Sequence, residues 1–97
     1  PQYCLTVLGW VLVDFTQSSR RHRIGRERMK QVLANAMYVN EQDPRGTYGG
    51  RLLFLGPDDS GRILEVVAIW DETQLNVIHA MDIRPKNLRI LHERGER

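Results

Sequence analysis

The stretch that decides the fold is RLLFLGPDDSGRILEVVAIW, residues 51–70. Its first five residues are strand-like, GPDDSG at 56–61 favours a turn, and RILEVVAIW at 62–70 resumes an extended pattern. A connection this short joins antiparallel neighbours. A further strand-like run follows at 74–83, after the short DET segment, so these residues predict a three-stranded antiparallel meander. The apolar character of 62–70 is typical of a central strand that is covered on both faces.

Helical patterns precede and follow this meander. Residues 10–15 are rich in β-branched and aromatic side chains and predict one more strand, after which a short polar helix is expected to reach His22. From Arg26, apolar side chains at helical spacing predict an amphipathic helix of about three turns. Pro85 suits the first turn of a last helix.

The predicted order of elements is therefore β-α-α-β-β-β-α. This is an α+β fold, a small antiparallel meander sheet with two N-terminal helices and one C-terminal helix. We expect one domain over residues 1–97. Within it, residues 1–10 are expected to be an apolar N-terminal extension or an edge strand, and the Gly-containing segment 40–50 a flexible loop.

Composition restricts the classes of protein that the chain can belong to. The chain has 97 residues, of which 41% are hydrophobic and 27% charged, as in ordinary globular domains. A single cysteine, Cys4, excludes an internal disulfide framework and indicates a reducing cytoplasm. The longest apolar run is shorter than the roughly 20 residues that span a bilayer, so no membrane association is expected. The predicted helices are too short to cover both faces of the sheet. We therefore expect another chain to bury part of the apolar surface near Trp10, Phe54 and Trp70.

Basic residues are concentrated in two segments, although the net charge is only +2. Residues 20–30 hold six cations against one anion, and residues 84–97 hold five against two. Most of the cations are Arg, whose rigid fork of donors suits phosphate, so an anionic partner such as nucleic acid is indicated. Solvated helix faces remain the alternative. The candidate RNA-binding residues are Arg20, Arg21, Arg23, Arg26, Arg28, Lys30 and Arg89.

Several familiar catalytic patterns are missing from the sequence. His22, His79 and His92 lie far apart without patterned carboxylate partners, so no metal site is predicted. The chain also lacks the glycine-rich phosphate loop that ends in Lys-Ser or Lys-Thr, and the GxSxG nucleophile elbow. No cofactor is expected.

Cation and imidazole chemistry remains. A metal-free ribonuclease needs a base for the ribose 2′-OH, an acid for the leaving oxygen and cations for the charge that develops on phosphorus. His22 and His79 are the plausible proton carriers. The candidate catalytic residues are Arg62, His79, Arg84, Lys86 and His22.

The predicted meander brings three of these residues close together. The start of the second strand lies opposite the end of the third, so Arg62 should lie close to Arg84 and Lys86. His79 alternates with Leu75 and is expected on an apolar strand face as a core histidine, unless a bulge re-aims it.

The order of elements and four sequence marks resemble the BrnT-type toxins of bacterial type II toxin–antitoxin systems, with their RelE/ParE-like fold. The resemblance covers roughly residues 13–91. Its marks are RHRIG at 21–25, VLAN at 32–35, the hairpin RLLFLG to GRILEVV at 51–67, and VIHAM at 77–81.

The resemblance implies a metal-independent endoribonuclease that blocks translation. It also implies a cognate antitoxin that holds the toxin inactive, and a complex of the two that represses its own promoter DNA. The alternative is a non-catalytic module of the same fold, which acts by protein contact or only as the autoregulatory partner of an antitoxin.

Overall fold

The computed structural model describes residues 1–42 and 50–95, and it contains a six-stranded sheet flanked by helices. In chain order the elements are β1 (Gln2–Thr6), β2 (Gly9–Phe15), a 3₁₀ turn (Gln17–Arg20), α1 (Arg26–Asn35), β3 (Tyr38–Glu41), β4 (Gly50–Pro57), β5 (Ile63–Trp70), β6 (Leu75–Asp82) and α2 (Pro85–Gly95). The strand order is β1-β2-β6-β5-β4-β3.

The sheet contains the expected meander but is larger and of mixed direction. Strands β4, β5 and β6 pair antiparallel in sequence order, as the 51–83 pattern predicts. Strand β2 then pairs parallel with β6, and β1 and β3 add the two edges. The prediction of a small antiparallel meander sheet is therefore wrong. After β2 the chain passes through α1 to β3 at the far edge of the sheet, and β4, β5 and β6 then lead back. Strand β6 therefore reaches β2 in the same direction, which makes this pair parallel.

The predicted pair of N-terminal helices is also wrong, since the first of them is a four-residue 3₁₀ turn. Hydroxyl side chains explain this difference. Ser19 Oγ donates to the Thr16 carbonyl at 2.6 Å, and Thr16 Oγ1 donates across the sheet to the Val77 carbonyl at 2.7 Å. Such local bonds compete with regular helix formation.

The chain on either side of α1 is more extended than the sequence suggested. Residues 2–6 form β1 at one edge of the sheet, and residues 9 and 10 begin β2. Residues 40 and 41 belong to β3, which pairs with β4. The rest of the predicted 40–50 loop includes residues 43–49, which lie outside the described residues.

The two helices cover opposite faces of the sheet. On the first face, Met29 and Leu33 of α1 pack against Phe54 and Leu64 in the main core. The close approach there requires glycine at position 56, because an added Cβ would lie 2.8 Å from Ala36 Cα. On the second face, Leu53, Leu55 and Val67 form a smaller core that is covered by Ile90 and Leu91 of α2.

A bulge in β6 decides where His79 lies. Val77 pairs with Ala68 and His79 pairs with Val67, so Ile78 is an extra residue between them. The bulge reverses the alternation, and His79 lies on the second face beside Val67 rather than on the first face with Leu75 and Val77. The expectation that His79 shares the face of Leu75 is thus wrong, because β6 contains the bulge that was named as its exception.

Candidate active site

The centre of the site is a fully buried carboxylate, Glu65 on β5. Its Oε1 accepts hydrogen bonds from the backbone N–H of Arg84 and from the side-chain amide of Asn87, both at 2.9 Å. Its Oε2 accepts one from Arg84 Nε at 2.9 Å and lies 2.6 Å from Arg84 Nη2. His79 Nε2 lies 3.0 Å from the same oxygen.

These contacts keep Glu65 ionised. Burial raises the pKa of a carboxyl group, but the hydrogen bonds from Arg84, Asn87 and His79 outweigh burial and lower the pKa of Glu65 to about 2. The hydrogen bond to Glu65 in turn raises the pKa of the Arg84 guanidinium. At neutral pH the site therefore holds an anion that binds one guanidinium and one imidazole.

An ionised carboxylate only accepts hydrogen bonds, so Nε2 of His79 must carry the proton that it shares with Glu65. In the neutral ring Nδ1 is then the proton acceptor. The His79 side chain is 24% exposed, so the ring is accessible from solvent at one side. A buried carboxylate that sets the tautomer of a partly exposed imidazole is an arrangement that enzymes use to make a general base.

A second imidazole stands next to the first. His22 is exposed in the loop between the 3₁₀ turn and α1, and its ring centroid lies 5.6 Å from that of His79 with an angle of 74° between the planes. The 3₁₀ turn is anchored to β6 because both the N–H and the hydroxyl of Thr16 donate to the Val77 carbonyl. The two histidines predicted as proton carriers are thus brought together from positions 57 residues apart in the chain.

The cations predicted beside the histidines do not bind the same carboxylate. Ile83 N–H donates to the Ile63 carbonyl, so Arg62 and Arg84 lie at the same end of β5 and β6. Arg62, however, binds Asp82 at 2.6 Å. Asp82 is paired with Leu64 on the first face, whereas Glu65, the partner of Arg84, lies on the second.

The three predicted cations therefore do not share one partner group. The Arg62–Asp82 pair is exposed, and Lys86 is exposed on the first turn of α2 together with Arg89 one turn later. Of the three, Arg84 is the one that contacts the buried carboxylate.

The basic segment before and within α1 divides into two groups. Arg28 pairs with the buried carboxylate of Asp58 at 2.9 Å, and Lys30 pairs with Glu27 at 3.1 Å. The other members are exposed, and Arg26 lies with its guanidinium carbon 5.7 Å from the centroid of the Phe15 ring. These other members are Arg20, Arg21, Arg23 and Arg26.

Sequence reasoning missed Glu65 and Asn87. One signal was available for Glu65, because it is the single charged residue inside the apolar run 63–70. A charge in a strand that is covered on both faces needs a partner, and the bulge that supplies His79 as one of its partners leaves no mark in the sequence. Asn87 lies in the first turn of α2, where nothing distinguishes it from a surface amide.

Residues 1–42 and 50–95 contain neither a cluster of metal ligands nor a membrane-spanning helix. No three His, Cys, Asp or Glu side chains cluster there as metal ligands would. No helix in those ranges has the length and apolar character needed to cross a membrane. Comparison of the chain with protein-family models, curated proteins and solved structures gives no match.

Proposed function

We propose that this chain is a metal-independent ribonuclease that cleaves RNA by attack of the ribose 2′-OH on the adjacent phosphorus. The observation that carries the proposal is the His22–His79 pair, in which one imidazole is bonded to a buried, ionised Glu65 that also binds Arg84. Such cleavage needs a proton acceptor, a proton donor and a cation close together. Two imidazoles and a guanidinium supply these three functions.

In the proposed reaction, Nδ1 of His79 removes the proton from the 2′-OH, and the 2′ oxygen forms a bond to phosphorus. The 5′ oxygen leaves as its bond to phosphorus breaks, and protonated His22 supplies its proton. The products are a 2′,3′-cyclic phosphate and a 5′-hydroxyl end. Glu65 stabilises the imidazolium that forms on His79, and the guanidinium of Arg84, whose side chain is 42% exposed, stabilises the negative charge on the phosphorane oxygens.

The test uses RNA cleavage in the presence of EDTA, with the third histidine as control. His79→Ala and His22→Ala should each lower kcat by about 10²-fold or more, since general acid–base catalysis contributes that much. His92→Ala is the matched control, because His92 is exposed on α2 and should leave the rate unchanged. Equal rates for the His22→Ala/His79→Ala double variant and the wild type would refute the proposal.

The toxin role is part of the same proposal. The protein would act in the bacterial cytoplasm, block translation by cleaving RNA, and be held inactive by a cognate antitoxin with which it represses promoter DNA. The four sequence marks of the BrnT-type family support this role, although the sheet differs from the expected layout.

Exposed apolar side chains on the β1–β2 hairpin support the proposal of a protein partner. Tyr3, Leu5 and Trp10 are 72%, 49% and 69% exposed, and Leu5 pairs directly with Trp10 across the two strands. Of the aromatic side chains expected at the surface, Trp10 and Trp70 are exposed, whereas Phe54 is fully buried. An exposed apolar strip on an edge hairpin is the kind of surface that another chain covers.

The partner is tested by expression. The chain alone should arrest growth, and co-expression with the product of the neighbouring gene should restore it. Normal growth with the chain alone at high yield would contradict the toxin role. Trp10→Ser should weaken the complex with the antitoxin without changing RNA cleavage.

A further inference from the structure

We infer that Arg20, Arg23 and Arg26 form a discrete pocket for a phosphate group. The inference deepens the proposed ribonuclease function, since the phosphate would belong to the RNA that the histidines cleave. The pocket is separate from the catalytic pair, and its test requires no cleavage.

The pocket is a cavity of about 340 Å³ between the 3₁₀ turn and the start of α1. The three arginines line it together with apolar side chains that include Phe15 and Met29. Phe15 and Met29 belong to the main core, so the floor of the cavity is rigid. A concave site with several guanidinium groups around an apolar floor suits a bound anion, because each guanidinium can donate hydrogen bonds to the same group.

Among the residues that the structure describes, none that lines this cavity is acidic, so the walls described do not balance its positive charge. The neighbouring cations differ in this respect: Arg28 is neutralised by Asp58 and Lys30 by Glu27. Within residues 1–42 and 50–95, the ion pairs of this segment are made outside the cavity, and the three arginines around it can face an external anion.

Two local features bear on the positions of Arg26 and Arg23. The guanidinium carbon of Arg26 lies 5.7 Å from the centroid of the Phe15 ring, within the range of a cation–π contact. Arg23 has a left-handed backbone with φ of 61°, and its N–H donates to the Arg20 carbonyl at 3.1 Å. Glycine is the residue that usually occupies such a conformation, so arginine at this position costs stability.

The position of the pocket indicates which phosphate it would take. Arg23 follows His22 directly, so one short loop supplies both a catalytic imidazole and a wall of the pocket. A strand of RNA that places its scissile phosphate at the histidines would present a neighbouring phosphate to the arginines. That phosphate is either an internal phosphodiester or a 5′-terminal monophosphate, and both offer the oxygens that arginine binds in a bidentate manner.

The experiment measures binding of a hexanucleotide RNA with 2′-O-methyl riboses, which lacks the attacking hydroxyl and stays intact. The two variants are Arg23→Gly, which removes the guanidinium and suits the left-handed backbone, and Arg26→Gln. Arg51→Gln is the control, because Arg51 is exposed on β4 and bonds to Gln42.

We expect Arg23→Gly and Arg26→Gln to weaken binding about tenfold each, and to reduce by about one the slope of log affinity against log salt. Arg51→Gln should bind as the wild type does. Arg23→Gly should also melt at the same temperature as the wild type or higher, so that the loss of binding has no structural origin. Inorganic phosphate should compete with the RNA for the wild type but not for Arg23→Gly.

Equal affinities for Arg23→Gly, Arg26→Gln and Arg51→Gln would overturn the pocket. Two forms of the oligonucleotide then identify the source of the phosphate. Tighter binding of the 5′-phosphorylated form assigns a terminal monophosphate, and equal binding of the 5′-hydroxyl form assigns an internal phosphodiester. A protein that binds in this way but cleaves no RNA would refute the proposed ribonuclease and leave the pocket standing.

Discussion

Replacing Glu65 by Gln should remove a large share of the stability of this protein at neutral pH. The buried carboxylate joins β5 to β6 through His79 and to α2 through Arg84 and Asn87. Its hydrogen bonds lower its pKa from 4.5 to about 2, which corresponds to about 3 kcal/mol of stability at neutral pH. Gln keeps the shape of Glu but loses the charge and one acceptor, and it leaves the Arg84 guanidinium without its anion.

The pH dependence has a definite sign. Because the pKa of Glu65 is lower in the folded protein than in the unfolded chain, the stabilisation is complete above pH 4.5 and is lost as the pH falls towards 2. Urea unfolding of the wild type and of Glu65→Gln should therefore give free energies of unfolding that differ by about 3 kcal/mol at pH 7. The two values should converge as the pH falls from 4.5 to 2.

Glu93→Gln is the matched control, because Glu93 is exposed on α2. This variant should unfold as the wild type does at pH 7 and at pH 2. The reasoning would be refuted if Glu65→Gln and Glu93→Gln were equally stable at pH 7. It would also fail if the gap between Glu65→Gln and the wild type stayed constant from pH 7 to pH 2.

Three further substitutions test the packing, each by urea unfolding at pH 7. Gly56→Ala should lower the free energy of unfolding by about 2 kcal/mol, because the new Cβ would lie 2.8 Å from the backbone of Ala36; unchanged stability would show that the contact relaxes freely. Phe54→Ala should cost about 3–5 kcal/mol, because the ring is fully buried in the main core, and a loss below 1 kcal/mol would contradict its place there. Arg62→Ala should change stability by less than about 1 kcal/mol, because both partners of the Arg62–Asp82 pair are more than half exposed; a larger loss would mean that the pair does more than a surface ion pair.

The sequence predicts those parts of the fold that local patterns determine. The hairpin at 51–70, the strand after it and the helix that begins at Arg26 follow from turn residues and apolar periodicity, and the structure has all three. The parallel pairing of β2 with β6 depends on contacts between residues about 60 positions apart, which no local pattern encodes. Strand β3 was missed because its four residues include Asn40 and Glu41, which resemble a loop.

In the candidate site, too, the residue types could be predicted from the sequence, whereas their long-range contacts could not. Histidine and arginine could be chosen as candidates from their chemistry, and a bulge could be named, without a position, as the feature that would re-aim His79. Whether the bulge occurs depends on packing on both faces of the sheet, so the Glu65–His79 bond could not be foreseen. The contacts of Arg62 and Arg84 with different carboxylates likewise depend on which strand face each partner occupies.

The most direct test of the central claim is the chemical identity of the RNA ends that this protein produces in EDTA. The account predicts 2′,3′-cyclic phosphate and 5′-hydroxyl ends with the wild type, and intact RNA with the folded His79→Ala variant. Intact RNA with the wild type, or fragments that carry 5′-phosphate ends, would contradict the claim that the His22–His79 pair transfers protons in 2′-OH attack.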